Sequence, residues 1–451
     1  MKRLVVLGAG ESGLGAALLA KREGYVVFVS DGGTIAPARK AQLQASAIEF
    51  EEGKHGEERI LATDLIIKSP GIPTTVPVVQ QAMQQGIAVV DELEFASRYS
   101  KGKVIAITGT NGKTTTTLLT YHLLKEAGWD VGLAGNVGKS WAAQLLEGDH
   151  AWWVLEISSF QIDGLVSMAP HIALLTNITP DHLDRYNYQM DRYIDSKMAV
   201  FKNMAAGDFA ILNLEDPFSK TGLDRAPVQA AHFGISLLEK PKQGGFCNGE
   251  SLLFQVKGTQ AIIPVSALTI QGKHNFLNAL GAGVAALLAG LNEAQLLSGY
   301  QTFKNAAHRM ELVRVLDGVR YVNDSKGTNV EATYYALGSY KEPMIWIAGG
   351  VDKGNDYSVL TPLVVEGQVK ALICLGKDNI KLKTAFAPHI AQIRETQDLQ
   401  QAVSWAQELA EDKEVVLLSP ACASFDLFKN YEDRGDQFKA AVVALLQKQS
   451  A

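Results

Sequence analysis

Short runs of Val, Ile and Leu, each followed by a longer helical pattern, recur along this 451-residue chain. They fall at Leu4–Leu7, Val26–Val29, Leu65–Ile67, Val104–Ile107, Trp152–Ile157 and Ile172–Leu175, and again at Met344–Ala348, Ala371–Leu375 and Val415–Leu418. Runs without polar alternation suit strands buried on both faces, so the pattern predicts an α/β fold with parallel sheets covered by helices. Such sheets bind ligands beyond the carboxyl ends of their strands, and the chemistry is therefore sought where the apolar runs end. At ~150 residues per domain the length predicts about three domains. Two glycine-rich turns open separate α/β segments near residues 8 and 109, and a third series begins near Val319. The boundaries are expected near 93 and 301, giving domains 1–93, 94–301 and 302–451.

Composition excludes several classes. Forty-two Lys and Arg against 48 Asp and Glu give a net charge of -6, which provides no basic field for nucleic acid. Cys247, Cys374 and Cys422 are too widely spaced for a disulfide framework or a CxxC metal site, which fits a reducing compartment. The N-terminal apolar run is interrupted by Glu11, and no apolar span of ~20 residues follows, so a cytoplasmic protein without membrane insertion is expected.

The first glycine turn, Leu4-Val-Val-Leu-Gly-Ala-Gly-Glu-Ser-Gly13, has GxGxxG spacing, and Asp31 ends the next strand. A dinucleotide, another phosphate ligand such as a uridine diphosphate, and a purely structural turn all satisfy it, because a helix N-terminus presents free N–H groups to any anion. Ser69-Pro-Gly71 follows a further strand and faces the same crevice. The second turn is more specific. In Ile107-Thr-Gly-Thr-Asn-Gly-Lys-Thr-Thr115, backbone N–H groups can wrap phosphates, Lys113 can neutralise their charge and the Thr114 hydroxyl can ligate Mg²⁺. It is a variant of the general phosphate loop, with Ile107 where the first glycine would stand.

Glu156 ends the run Trp152–Ile157, where a carboxylate reaches a magnesium ion beyond the sheet. Thr176-Asn-Ile-Thr-Pro-Asp-His-Leu-Asp-Arg-Tyr186 places His182 and Asp184 at another strand end, for a second metal or for orienting substrate. Lys197 lies on a helix of core-facing residues, and its charge there reads as solvated or phosphate-binding.

Together GTNGKTTT, EISSFQ, TNITPDHLDRY, GKHNFLNAL, HRME, NDSKGTN and SPACASFDLFKNYEDRG resemble the Mur ligase family over nearly the whole chain. Within it they most resemble members that add D-glutamate to UDP-N-acetylmuramoyl-L-alanine. The resemblance implies a Rossmann-like N-terminal domain for the UDP substrate, a central P-loop-type ATPase domain with a mainly parallel sheet, and a Rossmann-like C-terminal domain for the amino acid. It implies ATP and two Mg²⁺ sites, small-molecule substrates and a monomer. Gly109, Thr110, Asn111, Gly112, Lys113, Thr114 and Thr115 would hold the ATP phosphates, with Asn275, Arg309 and Asp324 on the rest of the nucleotide. Thr114, Glu156, His182 and Lys197 would serve the metals, Lys197 as the carbamylated family lysine, and Lys113, His182 and Lys197 would be catalytic. Glu11, Ser12, Asp31, Ser69, Gly71 and Asn136 would face the UDP substrate, although Gly32 and Gly33 stand where the family often carries a basic or threonine-bearing stretch. Lys326, Thr328, Lys353, Ser424, Phe425 and Tyr431 would bind D-glutamate.

Overall fold

A computed structural model of the chain describes residues 2–365 and 369–447. They form two compact units, one of residues 1–269 and 276–303, the other of 270–275 and 304–451. All nine apolar runs are strands or lie almost wholly within them.

The first unit holds two sheets. In the first, β1 (Arg3–Leu7), β2 (Val26–Asp31), β3 (Glu49–Glu52), β4 (Leu65–Lys68) and β5 (Ala88–Val90) lie parallel in the order β3-β2-β1-β4-β5. The order reverses at β1 and β4, so a crevice opens beyond their carboxyl ends. The second sheet has nine strands: β6 (Lys103–Thr108), β7 (Val131–Gly135), β8 (Trp152–Glu156), β9 (Ile172–Leu175), β10 (Phe209–Asn213), β11 (Ala231–Ser236), β12 (Gly244–Cys247), β13 (Ser251–Val256) and β14 (Thr259–Pro264). Their order is β14-β13-β12-β11-β10-β9-β6-β8-β7, with β6 at the centre of the parallel part between β9 and β8. The antiparallel ribbon β12–β14 is absent from the sequence expectation. Its strand β13 is buried only at alternate residues, so it never forms a continuous apolar run.

The second unit carries a six-stranded sheet of β15 (Glu311–Leu316), β16 (Val319–Asn323), β17 (Met344–Ala348), β18 (Val369–Leu375), β19 (Gln392–Thr396) and β20 (Val415–Leu418), ordered β15-β16-β20-β17-β18-β19. Only β15 runs antiparallel, paired with β16 as a hairpin. Helices cover both faces, and each face packs its own apolar cluster, one around Trp346 and Phe386, the other around Phe438 and Val403. All three cysteines are buried and free. Among the described residues no helix is long and apolar enough to cross a membrane.

Within the first unit the two sheets are joined through buried carboxylates. Glu94, on the helix Glu92–Ser97 after β5, accepts the backbone N–H groups of Val166, Ser167 and Met168 at 2.9–3.0 Å and the Ser167 hydroxyl at 2.6 Å. Its neighbour Glu92 accepts Ser140 Oγ and the Ala142 N–H, and burial pushes its carboxyl up to about 7. Glu94→Ala would orphan three backbone donors at once. It is expected to destabilise the protein by about 3 kcal/mol, read as a lower midpoint in chemical denaturation.

Candidate active site

The phosphate loop leaves the central strand β6 and enters the helix Lys113–Glu126. Its shape requires two glycines. Gly109 has φ 145°, and a Cβ there would collide with the Thr176 hydroxyl, whereas Gly112 caps the helix at φ 83° with Asn278 Oδ1 where a Cβ would go. The segment after β9 clamps the loop from one side. The Thr110 N–H donates to Asn177 O at 2.8 Å, the Asn111 N–H donates to Asn177 Oδ1 at 2.9 Å, and Thr176 Oγ1 donates to Asn111 O at 2.6 Å. From the other side Thr116 Oγ1 donates to Asn278 Oδ1 at 3.2 Å. Asn278 is thus a supporting residue that the sequence reading passed over inside GKHNFLNAL.

Two lysines converge on one carbonyl. Lys113 Nζ donates to Gly109 O at 2.9 Å and Thr110 O at 2.8 Å, and Lys197 Nζ donates to the same Gly109 O at 2.7 Å. Lys197 is 1% exposed. Burial, followed by the charge of Lys113, holds its ammonium well below the usual lysine range, while Asp181 and Asp163 oppose the shift. Lys197 is therefore neither solvated nor remote from the phosphate loop.

Glu156 ends β8 beside Ile107 of β6 and is 1% exposed. One oxygen accepts Asn136 Nδ2 at 2.6 Å, whereas Oε2 is buried without a hydrogen-bond partner. A buried carboxylate oxygen left open at the end of a strand next to a phosphate loop fits a hard cation with oxygen ligands. Asn136, expected on the muramoyl substrate, is the residue that donates this hydrogen bond to Glu156. His182 is half exposed, with Nε2 3.6 Å from Asp181 Oδ2 and its ring edge-on to Phe160 at 5.2 Å. Among the described residues no group of three or more His, Cys, Asp or Glu side chains is gathered as a cation site.

The same loop reaches the first sheet. The Arg185 guanidinium lies 4.3 Å over the Phe160 ring and donates to Pro70 O and Gly71 O, each at 3.2 Å. Arg185, within TNITPDHLDRY, has no role that the motif alone implies. In the first glycine turn, Asp31 accepts the Ala9 N–H at 2.6 Å and the Gly33 N–H at 2.8 Å, so both its oxygens brace the loop. The Ser69 N–H donates to Leu7 O, and Glu11 Oε1 accepts the Ser140 N–H. Ser12 stands half-buried in the first turn of the helix Glu11–Arg22.

The second unit gathers a further cluster around Arg434, which is 1% exposed. Its Nε donates to Ser325 Oγ at 2.9 Å and Nη2 to Ser325 O at 2.8 Å, while both terminal nitrogens reach Cys422 O at 3.3 Å. One guanidinium thus ties the Asn323–Thr328 loop to the Ser419–Phe425 segment. Lys326 Nζ lies 3.6 Å from the Tyr431 ring centroid, the Thr328 N–H donates to Lys326 O, and Ser424 is buried nearby in sequence to an exposed Phe425. Lys353 stands exposed on the loop after β17. Asp324 accepts Ser419 Oγ at 2.9 Å and the Met310 N–H at 3.3 Å. Burial pushes its carboxyl up to about 7, with Ser419 and Arg309 acting against the rise. Asn275, in the first turn of the helix Lys273–Ala289, donates Nδ2 to Gln271 O at 2.9 Å.

The chain matches the Mur ligase MurD-like N-terminal domain over residues 2–91, the Mur ligase middle domain over 107–286 and the Mur ligase glutamate ligase domain over 308–422. It belongs to the Mur ligase family and is accordingly an ATP-dependent ligase of peptidoglycan biosynthesis acting on small-molecule substrates. Among curated relatives, proteins of Christiangramia forsetii and Cytophaga hutchinsonii, named UDP-N-acetylmuramoylalanine--D-glutamate ligase, are 47% and 44% identical, each over 98% of this chain and 99% of the relative. Among solved structures, the UDP-N-acetylmuramate-alanine ligase of Thermotoga maritima superposes with a TM-score of 0.61 at 17% identity, covering 98% of this chain and 100% of that one. MurF of the same organism, in complex with ADP, does so with a TM-score of 0.58 at 14% identity, covering 94% and 90%.

Two measurements test the site. Lys113→Ala removes a cation from the phosphate loop, and turnover is expected to fall by about a thousandfold or more at unchanged thermal stability. For Asp324 the sign follows from its raised pKa. The folded protein holds a proton that the unfolded chain releases, so this group's share of stability is complete below its unfolded value and is lost as pH rises towards and past about 7. Asp324→Asn is expected to flatten that part of the stability profile between pH ~4 and ~8, read by denaturation at several pH values.

Proposed function

We propose that this enzyme joins D-glutamate to UDP-N-acetylmuramoyl-L-alanine, converting ATP to ADP and phosphate through an acyl phosphate. The observation that carries the reading is the phosphate loop with two lysines on Gly109 O and an open Glu156 oxygen beside it. Relatives bearing that enzyme's name along their whole length support the choice of substrates. A carboxylate and an amine do not condense unaided in water. The alanyl carboxylate therefore attacks the γ-phosphorus of ATP, ADP departs, and the amine of D-glutamate then displaces phosphate from the acyl carbon.

The residues divide this work as follows. Gly109, Thr110, Asn111, Gly112 and Thr115 present the backbone of the loop to the phosphates, and Lys113 neutralises charge that builds on the transferring group. Thr114 and Glu156 would hold one Mg²⁺, and His182 with Lys197 would serve a second. Magnesium would supply charge neutralisation between phosphate oxygens. Lys197 suits this role as a carbamate. An ammonium held well below the usual lysine range yields its amine more readily. The amine lone pair attacks carbon dioxide, and loss of one proton from the nitrogen replaces a neutral amine with an anionic carbamate. Asn275, Arg309 and Asp324 are assigned to the nucleotide. Lys326, Thr328, Lys353, Ser424, Phe425 and Tyr431 are assigned to D-glutamate, whose second carboxylate suits a cationic, hydroxyl-bearing pocket. Glu11, Ser12, Asp31, Ser69, Gly71 and Asn136 are assigned to the UDP substrate, Asn136 also donating a hydrogen bond to Glu156. The reading includes domains 1–93, 94–301 and 302–451 and a cytoplasmic monomer.

Phosphate release from ATP is measured with UDP-N-acetylmuramoyl-L-alanine and D-glutamate, L-glutamate or no amino acid. Release with a new amide product of the right mass is expected for D-glutamate alone. ATP turnover that yields no amide with any of them would contradict the reading.

A further inference from the structure

The first sheet ends in a group of side chains that the assignments above leave unused. The loop Gly53–Gly56 follows β3, and β3 pairs with β2 so that Asp31 lies opposite Glu52. In sheets of this kind the nucleoside end of a bound nucleotide lies over the carboxyl end of the second strand. Both oxygens of Asp31 there already accept backbone N–H groups.

Beside it stands His55. The fully buried Ser30 places its hydroxyl 2.8 Å from Glu51 Oε1 and 2.7 Å from His55 Nδ1. A carboxylate only accepts, and the same Glu51 oxygen also takes the Gly56 N–H at 2.7 Å, so the serine proton is directed to Glu51. The serine oxygen then accepts Nδ1–H from the imidazole. That fixes the neutral ring with its proton on Nδ1 and leaves Nε2 with a lone pair. Among the described residues Nε2 makes no hydrogen bond, and it lies 3.1 Å from where a Cβ on residue 32 would sit. Gly32 is thus a glycine for space: its backbone is not left-handed, but any side chain there would press on the ring.

We propose that His55 Nε2 accepts the N3–H of the uracil ring and so separates uridine from cytidine nucleotides, Ser30 and Glu51 being the positioning residues that fix its tautomer. Cytosine offers a lone pair at N3, which would face another lone pair. The proposal rests on the assignment of the UDP substrate to the first sheet.

Steady-state ligation is measured with UDP-N-acetylmuramoyl-L-alanine varied, and competition by UDP is compared with competition by CDP. The wild type is expected to bind UDP more tightly than CDP. In His55→Ala the KM for the UDP substrate is expected to rise about tenfold and the preference for UDP over CDP to fall by a similar factor, the loss of one well-placed hydrogen bond. The KM for ATP and kcat should stay within about twofold. Ser30→Ala, which keeps the imidazole but frees its tautomer, is expected to lower the UDP preference by a smaller factor. An unchanged UDP-to-CDP ratio and KM in His55→Ala, or a wild type indifferent between UDP and CDP, would overturn the proposal while leaving ligation intact. A wild type that does not turn over the UDP substrate would remove the functional reading, and this proposal with it.

Discussion

One backbone carbonyl governs the centre of this enzyme. Gly109 O receives hydrogen bonds from both Lys113 and Lys197, two lysines brought within reach of a single oxygen, Lys113 half-buried and Lys197 shielded from water. Like charges at that separation repel more strongly the less water screens them, and burial adds a desolvation cost for the second ammonium. Together they hold the Lys197 ammonium well below the usual lysine range. Everything around the carbonyl serves to keep it there: the left-handed turns at Gly109 and Gly112, the clamp from Thr176 and Asn177, and the brace from Asn278. Such a loop holds an excess of positive charge that a bound polyphosphate offsets, the electrostatic preorganisation that phosphoryl transfer uses.

The second unit solves a different problem with a different cation. Here Arg434 is enclosed rather than presented, and four of its hydrogen bonds reach Ser325 and Cys422, residues far apart in sequence. Burial lowers its pKa to about 10, so at neutral pH it remains a charged strut between loops. Asp324, next to Ser325 in the chain, is held by Ser419, with its own carboxyl raised by burial. The loops that carry Lys326, Ser424 and Tyr431 are therefore fixed by an interior ion rather than by their own conformational preferences.

The strands and glycine turns were legible because each is a local pattern. Val104–Ile107 reads as a buried strand, and the Gly-Lys-Thr after it reads as a phosphate loop, within a dozen residues. The ribbon of β12–β14 escaped because alternate burial of β13 breaks the apolar run, although Lys257-Gly258 marks the tight turn between β13 and β14. Lys197 is the instructive intermediate. Its residue type predicts a solvated cation, and only the fold, which brings it to a carbonyl 88 residues away, makes it buried. Asn278, Arg185, Arg434 and His55 act through partners on other segments, and nothing in their own neighbourhoods announces the role. Asp31, read from the sequence as the end of a strand, accepts loop backbone N–H groups, and Asn136 donates to Glu156, contacts that their residue types alone do not announce.

In the proposed reaction the substrate carboxylate, activated as an acyl phosphate, links ATP cleavage to amide formation. Its most direct test uses UDP-N-acetylmuramoyl-L-alanine whose alanyl carboxylate carries heavy oxygen, with mass spectrometry of the phosphate released during ligation of D-glutamate. The account predicts that one labelled oxygen passes to each phosphate. Unlabelled phosphate, formed at the same rate as the amide, would contradict it.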